Sequence, residues 1–236
     1  VKKVNMKSDS ILSAGVYPAW HPWLKLIAYS TNKTMQSFHT RDINKIEVFD
    51  SQSDLIIYDV DKNEVTNIEN DSTEFECYPA WSPDGKWLYY VSAHFEFRDT
   101  IPHEAECIKR SKEIKYSIYR KSFNPETMQF GPREMVFDAA SLGKSATLPR
   151  ISPDGKYLLF SMGEWGCFHI WHRDADLYML RLADNKGWPL TKPNSPQAES
   201  FHNFSSNGKW IIFSSRRNDG DYTRLFFAHV DADGNT

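Results

Sequence analysis

The chain has 236 residues, of which 40% are hydrophobic and 14% aromatic, and carries a formal net charge of −3 at pH 7. That length can bury a sizeable core as one domain, and the mild negative charge gives no general attraction to nucleic acid or to an anionic membrane. No apolar stretch reaches the length of a membrane span, so no membrane insertion is expected; no signal peptide is visible, and a start at Val1 reads as a processed or engineered chain.

In chain order, VKKVNM (Val1–Met6) sits where a strand of a preceding or closing blade would lie. YPAWHPWLKLIAYS follows from Tyr17, and related stretches recur as YPAWSPDGKWLYYVS from Tyr78, LPRISPDGKYLLFS from Leu148 and FHNFSSNGKWIIFS from Phe201. Aligned on Pro18, Pro79, Pro149 and His202, the steps are 61, 70 and 53 residues, the self-similarity of a repeat architecture. Within each repeat a short extended piece meets an apolar strand through a tight turn. In Ser82-Pro83-Asp84-Gly85, Pro83 presets φ, Asp84 bonds nearby backbone and Gly85 takes positive φ; Gly155 and Gly208 are expected to do the same. Third strands read Ser53–Val60, Tyr116–Phe123, Ala175–Leu182 and Tyr222–Val230, and a fourth follows in three repeats as EVTNI, REMVF and WPLT. Four antiparallel strands per repeat make a propeller blade. The expected fold is all-β, a β-propeller with blades at about 16–68, 77–138, 147–191 and 200–236. Trp20, Trp81, Ile151 and Phe204, each two residues past the alignment anchor, are expected in equivalent buried positions between sheets.

The pattern Pro-x-Trp-Ser-Pro-Asp-Gly-Lys, then an apolar strand ending in Ser, then Asp-Leu/Ile-Tyr, resembles the TolB-like, WD40-like PD40 β-propellers. It is complete at Pro79–Ser92, nearly so at Pro149–Ser161, and degenerate at Trp20–Pro22 and Phe204–Lys209. The segments around residues 36–59 and 214–236 look like Bacteroidetes-type TolB-like proteins. The resemblance implies a larger propeller of about six blades, a periplasmic or secreted setting, and partners among envelope proteins or other macromolecules. It is specific for fold and weak for function, because propellers host many roles.

Connections between second and third strands are long and unequal: Thr31–Gln52, Ala93–Lys115, Met162–Asp174 and Arg216–Asp221. They emerge on one end of the propeller, so one face is decorated and the other is plain, and loops on a rigid scaffold commonly carry recognition. Arg41, Arg98, Trp165 and Arg216 are the expected contacts, because Arg and Trp are enriched among interface hot spots. His103–Lys115 reads as a short helix over the propeller, capped by Thr100 with Pro102 in its first turn.

Catalytic signatures are sparse: there is no G-x-S-x-G elbow, no H-E-x-x-H and no P-loop. Glu74, Glu76 and Glu199 lie near strand starts, where a channel enzyme would place paired carboxylates, but are better explained as solvated turn charges. CFHIWH offers Cys167, His169 and His172; in extended backbone His172 points away from the other two, and no metal or cofactor is expected. Cys77, Cys107 and Cys167 form no Cys-x-x-Cys and read as buried idle thiols, with one disulfide the alternative in an oxidising compartment. The expected function is a noncatalytic interaction scaffold. The alternatives are a propeller enzyme cleaving a glycan or lactone in its channel, and the accessory propeller of a larger peptidase.

Overall fold

A computed structural model describes residues 15–39, 46–69, 71–98 and 100–236. The first blade is β1 (Gly15–Trp20), β2 (Leu26–Phe38), β3 (Ile46–Asp59) and β4 (Glu64–Glu69). The second is β5 (Glu74–Trp81), β6 (Trp87–His94), β7 (Ser117–Asn124) and β8 (Gln129–Phe137). The third is β9 (Ser145–Ile151), β10 (Tyr157–Gly163), β11 (Asp176–Arg181) and β12 (Lys186–Pro189); the fourth is β13 (Glu199–Phe204), β14 (Trp210–Ser215) and β15 (Arg224–His229). Every sheet is antiparallel with strands in sequence order, so the chain is a four-blade β-propeller whose fourth blade has three strands among the described residues. Val1–Met6, read as a blade strand, lies outside them.

The turns form as their chemistry dictates. Asp84 Oδ1 accepts from Lys86 N at 3.1 Å and Asp154 Oδ1 from Lys156 N at 3.1 Å, while Gly85, Gly155 and Gly208 have φ of 63°, 73° and 70°. A second repeated device is invisible in composition. Tyr17, Tyr78, Leu148 and Phe201, the first residue of each repeat, also have positive φ, between 45° and 55°, and each sits at a bulge in its innermost strand. The rings of Tyr17 and Tyr78 meet at 4.3 Å, with Phe168 6.5 and 6.4 Å from them, closing the space between the inner strands.

The core lies between blades. Leu26, Ala28, Leu55 and Ile57 of the first blade pack on Leu88, Tyr90 and Phe123 of the second. Tyr157, Leu159, Leu177 and Met179 of the third pack on Ile211 and Phe213 of the fourth. The positions of the fourth blade that match this last set include Leu225 and Phe227, which are 62% and 69% exposed. Trp20, Trp81, Ile151 and Phe204 hold one register, opposite Ile27, Leu88, Leu158 and Ile211. Their burial differs from expectation. Trp81 is half-buried against the rings of His21 and Phe123, and Ile151 and Phe204 are half-buried against the preceding blade. Trp20 is 61% exposed, because among the described residues no blade precedes it to supply the covering surface.

The connection expected as a loop over Thr31–Gln52 is instead largely sheet. β2 and β3 continue as a ladder from Thr34↔Asp50 to Phe38↔Ile46, a hairpin projecting past its blade. Met35 and Val48 pack onto the main core, which fixes the face the hairpin turns inward. The helix α1 spans His103–Lys109 and is followed by a 3-10 turn at Ser111–Glu113. Pro102, not Thr100, is its N-cap residue, and no side chain caps it.

Candidate functional site

The antiparallel order puts the tight turns at one end of the sheets and the long connections at the other. At the decorated end, the hairpin and α1 form one rim. Lys33 donates to Glu104, and Arg110 to Glu106 and, through Nη2 at 2.7 Å, to Glu113. Arg110 also lies 4.4 Å from the centre of the Phe95 ring, pinning the helix to the second blade. Phe38, near the end of the described part of the hairpin, is exposed.

The expected contact residues do not gather on this rim. Arg98 is exposed beside it, with its guanidinium 3.6 Å from Glu113. Arg41 lies outside the described residues. Trp165 is buried, stacked on Phe49 at 5.7 Å and against His172 at 4.4 Å. Arg216 is also buried, 5.2 Å from the centre of the Trp171 ring and donating to the Asp221 carbonyl. Both hold the long loops to the blades, and neither offers a surface to a partner.

The carboxylates differ most from expectation. Glu76 and Glu199 are not solvated turn charges; both are fully buried. They occupy the same place in their blades, paired across the ladder with Ser92 and Ser215. Glu199 is saturated. Its oxygens accept from Ser195 N at 2.9 Å, Ser195 Oγ at 2.6 Å, Ser215 Oγ at 2.7 Å and Arg217 Nη2 at 3.2 Å. Glu76 has no hydrogen-bond partner on either oxygen. Burial, with the Glu69, Asp54 and Glu74 carboxylates nearby, pushes its pKa up to about 9, so it is neutral at pH 7. Its cross-strand neighbour Ser92 donates instead to Glu74, at 2.5 Å, and Arg133 pairs with Glu74 at 3.0 Å.

Between the first two blades a cleft of about 520 Å³ opens at the decorated end. Asp54, Asp71, Glu74 and Glu104 line it together with Phe75 and Phe97. Phe97 stacks on His103 at 3.7 Å, and Asp54 is held above its ordinary pKa by burial. No sequence signal marked this cleft; it forms only when the middle of β3 is brought beside the start of β5.

The CFHIWH segment is not extended. A 3-10 turn at His169–Trp171 brings the two imidazoles to 5.6 Å, both buried and held neutral, with burial pushing their pKa values down to about 3 and about 4. Among the described residues no three His, Cys, Asp or Glu side chains converge in a way that could hold a metal ion. Cys77, Cys107 and Cys167 are buried free thiols. A buried carboxyl, Asp50, lies in the same interior, with its pKa pushed up to about 7 by burial, partly offset by bonds that include Asn32 Nδ2 at 2.7 Å.

No family model and no curated protein sequence matches the chain. Solved structures do. Oligogalacturonate lyase from Vibrio parahaemolyticus is 16% identical with a TM-score of 0.51, over 92% of this chain and 49% of that one. A puromycin-hydrolyzing peptidase of Mycobacterium tuberculosis is 11% identical with a TM-score of 0.52, over 93% of this chain and 30% of that one. A TolB-like protein from Agrobacterium tumefaciens is 14% identical with a TM-score of 0.47, over 93% of this chain and 60% of that one. The chain thus spans between three-tenths and three-fifths of the length of these structures, and what it is similar to in them is the β-propeller fold.

Proposed function

We propose that this propeller is a noncatalytic platform that binds a macromolecular partner, an envelope protein in a periplasmic or secreted setting, through its decorated end. One observation carries the reading. The β2–β3 hairpin and α1 are joined by the Lys33–Glu104 bond into a rim that rises past the blades, while the other end is built from tight turns. A rim anchored to a rigid scaffold presents side chains at low entropic cost, which is how loops on such scaffolds acquire recognition. Phe38 and Arg98 are its exposed apolar and cationic contacts.

The test is affinity capture from envelope extract, comparing the native chain with Phe38→Ser and Arg98→Glu variants. Both residues are exposed, so the fold should survive. A partner recovered by the native chain and lost with either variant supports the reading, and equal recovery removes the rim from it. Turnover of a glycan or lactone that is abolished in Glu76→Gln or Glu199→Gln would overturn the noncatalytic part.

A further inference from the structure

The hairpin that bears the rim has an irregular base. Pairing runs regularly to Asn32↔Ser53 and resumes at Thr34↔Asp50, so Lys33 on one strand stands against Ser51 and Gln52 on the other. A bulge of this kind bends its strand and leaves residues unpaired, which gives the ladder a pivot. Ser51 Oγ spans it by donating to the Lys33 carbonyl at 3.0 Å. Asp50 is the first residue beyond the bulge, on the projecting side, and is 4% exposed. Its carboxyl group accepts from Asn32 Nδ2 at 2.7 Å, from Gln52 N at 3.4 Å and from the Tyr116 hydroxyl of the second blade at 3.4 Å. Beside it Phe49 stacks on Trp165, from the long loop of the third blade, and Met35 and Val48 enter the main core. One acid thus sits where the hairpin meets three blades.

We propose that the β2–β3 hairpin is a proton-controlled arm: Asp50 latches it to the propeller while protonated and lets it swing out at the Lys33 bulge when ionised. Two features favour movement over ionisation in place. The donors that Asp50 meets are all neutral, an amide side chain, a backbone N–H and a phenol. The void beside it, lined by Asp50, Ser111, Tyr116 and Trp165, has a volume of about 10 Å³, room for no more than about one water. A carboxylate in that place faces no cation and almost no solvent, which is costly. It reaches water when the hairpin leaves, because Asp50 travels with the projecting side.

The titratable groups around Asp50 come from every element packed there. They are Tyr17 of β1, Tyr116 of β7, Cys107 of α1, Cys167 of the loop before β11, and Cys77 of β5, which shares Asn32 with it. Burial holds Tyr17, Tyr116, Cys107 and Cys167 above their ordinary values, so these four stay neutral while Asp50 titrates. Further out, Lys33 is bonded to Glu104 and Arg110 to Glu106, and His39 pairs with Glu47 on the hairpin itself at 2.8 Å. In the latched form burial pushes the Asp50 carboxyl up to about 7; swung out into water it returns toward the ordinary 3.8. Opening therefore releases a proton between those two values. It is rarest in acid, grows more frequent as pH rises, and levels off above about 7. The consequence for partner binding, a rim fixed in acid and loosened at neutral pH, rests on the binding-platform reading above.

Hydrogen exchange of the full chain, followed by mass spectrometry at stepped pH and divided by the intrinsic rate at each step, tests this. Amides of Met35–Phe38 and Val48–Asp50 should exchange faster than those of β10 at every pH, through an opening of their own. Their opening constant should rise about twentyfold between pH 5 and 6.5 and no more than about twofold above pH 7, as one proton with those two pKa values requires. Asp50→Asn keeps the size of the side chain and an acceptor for Asn32, and leaves His39 and Glu47 untouched; in it the rise should vanish. Hairpin exchange in step with β10, or the same rise in Asp50→Asn, overturns the proposal. If Asp50→Asn does not fold, the native chain decides: its Asp50 carboxyl carbon, followed by NMR, should titrate at the pH where the rise levels off, and titration elsewhere overturns the proposal. No partner enters either measurement, so the arm and the binding-platform reading fail separately.

Discussion

Two turn glycines with almost the same backbone provide a matched test of how the blades are locked together. Gly85 and Gly155 have φ of 63° and 73°, so alanine at either position is held in the left-handed region. That strain costs about 1–2 kcal/mol, and the gain from restricting the unfolded chain is the same at both sites. The surroundings are not the same. A Cβ at Gly155 meets nothing within 4 Å, whereas one at Gly85 would lie 2.5 Å from two atoms of the His21 ring and 3.2 Å from Trp23 Nε1. His21 is buried, contacts the Gly85 carbonyl at 3.0 Å and packs edge-on against Trp81 at 4.7 Å. Displacing it forfeits a hydrogen bond and an aromatic contact, about 1–3 kcal/mol together. Gly155→Ala should therefore cost about 1–2 kcal/mol and Gly85→Ala about 2–5 kcal/mol, read from urea midpoints at constant slope. Equal midpoints for the two variants would show that the His21 wedge does not join the first two blades.

The remaining predictions follow from the buried ionisable groups. The pKa of Glu76 is raised in the folded state to about 9, so its contribution is present at low pH and is lost as pH climbs from 4.5 through 9; Glu76→Gln should gain stability relative to the native chain across that window in melts at stepped pH. His172 is depressed to about 4 from 6.5, so the unfolded chain takes up its proton first and stability falls as pH drops from 6.5; His172→Phe should flatten that acid limb, and an unchanged limb would remove His172 from it. Glu199→Ala strips partners from Arg217, Ser195 and Ser215 and should cost about 3–5 kcal/mol by chemical denaturation, the scale for breaking a buried ion pair.

What the sequence made legible was local. Ser-Pro-Asp-Gly writes its turn into four consecutive residues, and the apolar strands after it need only their own composition, so the blade repeat and the positive φ of Gly85, Gly155 and Gly208 followed directly. What it hid depends on neighbours far along the chain. TNKTMQSF looks like a polar loop until Val48 and the core arrive to bury Met35 with it; the alternation of Met35 between polar residues was the available signal. EFECY places a charge in a strand, and a solvated acid is the usual reason. Glu76 is buried because the first blade covers it, and Glu199, equally buried, keeps hydrogen-bond partners because Ser215 and Arg217, from the next strand and beyond, turn toward it. Trp165 and Arg216 are expected contacts by residue type alone, which carries no information on whether a loop folds inward. The positive φ of Tyr17 and Tyr78 lies at residues with no turn-forming chemistry of their own.

The apolar side of the fourth blade bears on the order in which the molecule opens. Strands here form ladders only within their own sheet, and adjacent sheets meet through side chains and single backbone bonds such as Ala146 N to the Tyr116 carbonyl and Glu199 N to the Ala175 carbonyl, both at 2.8 Å, so cooperativity passes from neighbour to neighbour as in a one-dimensional array. The second and third blades are clamped on both sides. The fourth shares its inner side with the third while Leu225 and Phe227 face water. Amide hydrogens of β13, β14 and β15 should therefore exchange through a sub-global opening of that sheet alone, well before those of β6 and β10, which must wait for both of their neighbours. Such an opening leaves the cleft between the first two blades intact, so loss of the last sheet and loss of that cleft are separable events in time.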